Sequence, residues 1–82
     1  MISDKALAVT ISELMLEASG ALSEAAQLVA KSGSTEEEKA SLLEAIGGAM
    51  GQIGIDILNP LYRAHPELKP SDFLLPEDFK DQ

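Results

Sequence analysis

Two long stretches of the chain repeat their apolar residues every three or four positions, the spacing of one face of an α-helix. From about 3 to 31 the row reads Leu7, Ile11, Leu14, Ala18, Ala21, Ala25, Leu28. Its gaps alternate between four and three, a heptad pattern, with Met15, Leu22 and Val29 widening it on one flank and Glu13, Glu17 and Glu24 on the other. Ser3 is placed to cap the start, with Asp4 beside it against the positive helix end. From about 35 to 59 a second row reads Leu43, Ile46, Met50, Ile53, Ile57. Leu42, Ile55 and Leu58 add apolar surface outside it, more than a two-helix contact needs.

Between the two stretches lie Ser32, Gly33, Ser34 and Thr35. Gly33 suits the left-handed position after a helix. Ser34 with Glu37, or Thr35 with Glu38, forms a capping box, and Glu36, Glu37 and Glu38 meet the positive end of the second helix. A turn over 32–34 is too short for anything but antiparallel helices. At Asn59 and Pro60 the residue before proline is expected to leave the helical region. A short helical turn or a kinked continuation over 60–65 follows, stopped by His65 and Pro66. The remainder, 67–82, is acidic and punctuated by Pro70 and Pro76, and is expected to be extended.

These elements predict an all-α fold. Residues 1–66 form an antiparallel two-helix hairpin with a short third helical turn, and 67–82 form a tail that packs on the hairpin or docks a partner. The surplus apolar surface predicts that two hairpins dimerise into a four-helix bundle. Composition agrees: eleven alanines and many Leu and Ile, with Tyr62, Phe73 and Phe79 as the only aromatics, suit close-packed helices better than sheets. At 82 residues without cysteine, the chain is too small to bury much surface alone and has no disulfide to compensate.

Gly47, Gly48, Gly51 and Gly54 fall within eight residues of the second helix, each at a helical cost of about 1 kcal/mol. Gly47, Gly51 and Gly54 share a stripe beside the apolar row. The expectation is a tight crossing, inside the hairpin or across a dimer axis, made by Ala18, Ala21, Ala25, Ile46, Gly47, Met50, Gly51, Ile53, Gly54 and Ile57. In the tail, Phe73, Leu74, Leu75 and Phe79 are the candidate contact residues, covering the open face of the hairpin or entering a partner's groove.

Charge and chemistry narrow the functional classes. Six Lys and Arg against fourteen Asp and Glu give a net charge of −8, which leaves no basic face for nucleic acid. No Glu-x-x-His accompanies Glu13, Glu17 and Glu24, so a di-metal bundle is not expected, and they read as a solvated acidic face. His65, the sole histidine, reads as a cation at a helix end, not as a general base. No serine stands in a nucleophile elbow, nor in the Asp-Ser-Leu setting of an acyl carrier. The reading therefore expects no enzyme, no cofactor and no metal. It expects neither a signal peptide nor a membrane span, no nucleic-acid or membrane partner, and a cytoplasmic setting. The expected function is a small acidic protein–protein interaction module that self-associates as a homodimer and binds a further, unidentified protein. The alternative is an inhibitor or immunity-type protein whose acidic surface blocks a basic site.

Overall fold

The computed structural model describes residues 2–71 and residue 73. Among them the chain is almost entirely helical, with two long helices packed against each other. Helix α1 spans Lys5–Lys31 and helix α2 spans Glu36–Ile53. A π-helical turn, Gly54–Leu58, leads directly into α3, Asn59–Ala64, and a 3-10 turn, Pro66–Leu68, follows. The molecule is elongated. Its Cα radius of gyration is 15.1 Å, against about 12 Å for a compact chain of this length.

Asp4, not Ser3, caps α1, its carboxylate accepting from the Leu7 N–H at 3.1 Å. At the other end Ser32 takes an extended conformation, and both its N–H and its hydroxyl donate to the Val29 carbonyl. That arrangement ends the helix without a left-handed residue, so Gly33 does not adopt the positive φ expected of it. Of the two possible capping boxes the chain uses the second. The Thr35 hydroxyl accepts from the Glu38 N–H at 3.2 Å, and the Glu38 carboxylate accepts from the Thr35 N–H at 3.0 Å.

Of the two outcomes the sequence left open at Pro60, a separate short turn or a continuation, the chain takes the continuation, and Asn59 does not leave the helical region as expected. Asn59 stays helical, at φ −59° and ψ −51°. An α-helical proline ring collides with the carbonyl four residues back. Here the backbone widens first, the Asn59 N–H donating to the Gly54 carbonyl five residues back. The wider register carries one helical rod from Glu36 to Ala64.

The inner face of α1 is also displaced from the expected row. Ala8 and Ser12 are buried, and Met15, Ser19, Leu22, Ala26 and Val29 are half-buried. This row has the same four-three spacing as the expected one, one residue later, and it carries two serines where the expected row is apolar throughout. One residue is about 100° of helix, so the expected row lies on the flank of the contact. Leu7, Leu14, Ala21 and Leu28 are exposed, and Ile11, Ala18 and Ala25 are half-buried at the edge. On α2 the expected row is the sheltered one: Leu43, Ile46, Met50, Ile53 and Ile57 are all half-buried.

The cap gives a direct test. Thr35→Ala should cost about 1 kcal/mol of stability, read as a lower denaturation midpoint. The hydrogen bonds from the Thr35 backbone and side chain hold the Glu38 carboxyl below its ordinary 4.5. Its contribution to stability is therefore complete above 4.5 and fades as pH falls through the lower folded value. An NMR titration should place Glu38 below 4.5 in the wild type and return it toward 4.5 in Thr35→Ala.

Candidate interaction surface

The packed end of the hairpin is built where α3 returns beside the start of α1. Leu58, Leu61 and Tyr62 are buried there together with Ala8. Tyr62 is fully buried, so its hydroxyl needs a partner; it shares a 2.5 Å hydrogen bond with the buried Ser12 Oγ. The small side chains of Ala8 and Ser12 leave room for the ring, and Phe73 meets it edge-on at 4.9 Å between centroids. Leu74, Leu75 and Phe79, the other candidate tail contacts, lie outside the described residues.

His65 ends α3 and is buried, more than a cation at a helix end. Its Nε2 lies 2.9 Å from the Ile2 carbonyl, which can only accept, so Nε2 carries a proton. Its Nδ1 lies 3.7 Å from the Glu67 carboxylate, and Lys5 lies 3.7 Å from the same oxygen. Hydrogen bonding by its own backbone holds the Glu67 carboxyl below the ordinary range, with Lys5 and His65 adding to it. These contacts tie the N-terminal residues to the end of α3. They hold the ends of the hairpin together.

The expected glycine crossing does not occur within the hairpin. Gly47 and Gly51 are exposed and Gly54 is half-buried. A Cβ placed on any of the three would meet nothing within 4 Å. Ile46, Met50, Ile53 and Ile57 line the intramolecular contact, while Ala21 points away from it and Ala18 and Ala25 stand at its edge. Asp56 accepts from the Gln52 side chain on the exposed side of the rod. Among the described residues no three His, Cys, Asp or Glu side chains are grouped as metal ligands.

Part of what remains uncovered is apolar. In an antiparallel pair, moving around each helix in the same rotational sense from the contact line leads to the same side of the pair. The row Leu7, Leu14, Ala21, Leu28 trails the α1 contact line by about 100°, and Leu42, Ala45 and Ala49 trail that of α2 by roughly 60–120°. Both sets therefore open on one broad face, with Leu7 45%, Leu14 49%, Leu28 66% and Leu42 49% exposed. A depression of about 440 Å³ at its edge is lined by Glu37, Glu38, Ser41, Leu42 and Ala45. The opposite face carries Val9, Leu16 and Gly20 from α1 and Gly47, Gly51 and Gly54 from α2. The sequence reading named the α1 flank row as a helix-packing seam and Leu42 as apolar surface outside the α2 row, but missed the core pair Ser12–Tyr62. The burial of Ser12 leaves a trace in sequence only once the alternative heptad row through Ala8 and Met15 is considered.

By length and composition, the rods Lys5–Lys31 and Glu36–Ala64 are long and apolar enough to cross a membrane. The expectation of no such segment rested on unbroken apolar runs, which a windowed average does not require. Glu13, Glu17 and Glu24 weigh against insertion of α1, because a carboxylate at the bilayer centre costs about 2.5–3.5 kcal/mol.

Comparison with known proteins finds no matching family model, no matching curated protein and no matching solved structure.

Two substitution series test this surface. Tyr62→Phe orphans the buried Ser12 hydroxyl and should cost about 1–3 kcal/mol, whereas Ser12→Ala with Tyr62→Phe should recover most of that loss. Both are read by urea denaturation. Gly47→Ala and Gly51→Ala fill open space on a helix, and each should raise stability by about 0.5–1 kcal/mol; a loss would mean the glycines are closely approached.

Proposed function

We propose that this chain is a small acidic interaction module, without catalytic activity, that acts by protein–protein contact and associates with a second copy of itself. The observation that carries this reading is the exposed heptad row of α1. Leu7, Leu14 and Leu28 stand outside the hairpin core at regular spacing along a 27-residue helix. Apolar surface in such a continuous row marks a place where another protein docks. A cytoplasmic setting fits a cysteine-free chain.

The alternative is an inhibitor or immunity-type protein that covers a basic site. It draws on the net charge of −8 and on Glu36, Glu37 and Glu38, three adjacent exposed carboxylates at the head of α2. The two readings have opposite responses to salt. Copies that share a negative charge and meet through apolar side chains repel electrostatically, so screening strengthens their association. An acidic face on a basic partner is weakened by screening.

Sedimentation equilibrium of the whole chain at about 1–100 μM decides whether it self-associates at useful strength. A species of twice 8.7 kDa, tightening as salt rises, is the expected result. A monomer across that range at every salt concentration contradicts the proposal.

A further inference from the structure

We draw no further inference here: the strongest candidate, the outward apolar face formed by Leu7, Leu14 and Leu28 of α1 with Leu42 of α2, belongs to the surface on which the proposed function already rests, and nothing in the structure shows what covers it.

Discussion

Two helices packed side by side can shelter only one stripe of each. Every feature of this protein follows from that constraint meeting helices whose apolar arcs are wider than a stripe. On α1 two heptad rows lie one residue apart. Only one can face α2, and the row through Ala8, Ser12 and Met15 takes the place because its small members let Tyr62 and Leu61 come close. The row with the leucines is thereby turned outward.

The remaining structure keeps that choice in place. The Thr35–Glu38 capping box starts α2 where the short turn requires it. The π-helical turn carries the rod past Pro60 without a break, and so delivers Leu61, Tyr62 and His65 to the start of α1. Had the helix ended at Asn59, the Ser12 hydroxyl would lack its partner and His65 would not reach the Ile2 carbonyl. A local backbone adjustment thus supports the main tertiary contact of the hairpin.

The helical hairpin, its turn and the capping box were legible in the sequence because each depends on short-range spacing. Periodicity, a Ser/Gly/Ser/Thr turn and a Thr-x-x-Glu box are complete within a few residues. The inner face of α1 was not legible. Two adjacent rows share the heptad spacing, and the sheltered one carries Ser12 and Ser19, which makes it the less apolar of the pair. The deciding contact, Ser12 to Tyr62, spans fifty positions. That Asn59 stays helical before Pro60 was hidden for a related reason: propensity describes an α-helical register, and the backbone avoided the proline penalty by leaving that register. The glycine spacing matches a close crossing, but that crossing is not made inside the hairpin, where neighbours stand more than 4 Å from any added Cβ. The row Leu7, Ile11, Leu14, Ala18, Ala21, Ala25, Leu28 was recognised from its pattern, but its outward position required the fold.

The central claim is that one copy leaves an apolar face which a second copy covers. Association confined to the folded state makes stability depend on protein concentration. The most direct measurement is the thermal midpoint of the full chain over about a hundredfold range of concentration. The account predicts a midpoint that climbs by several degrees as concentration increases. A midpoint that stays constant over that range, with a reversible transition, would contradict it.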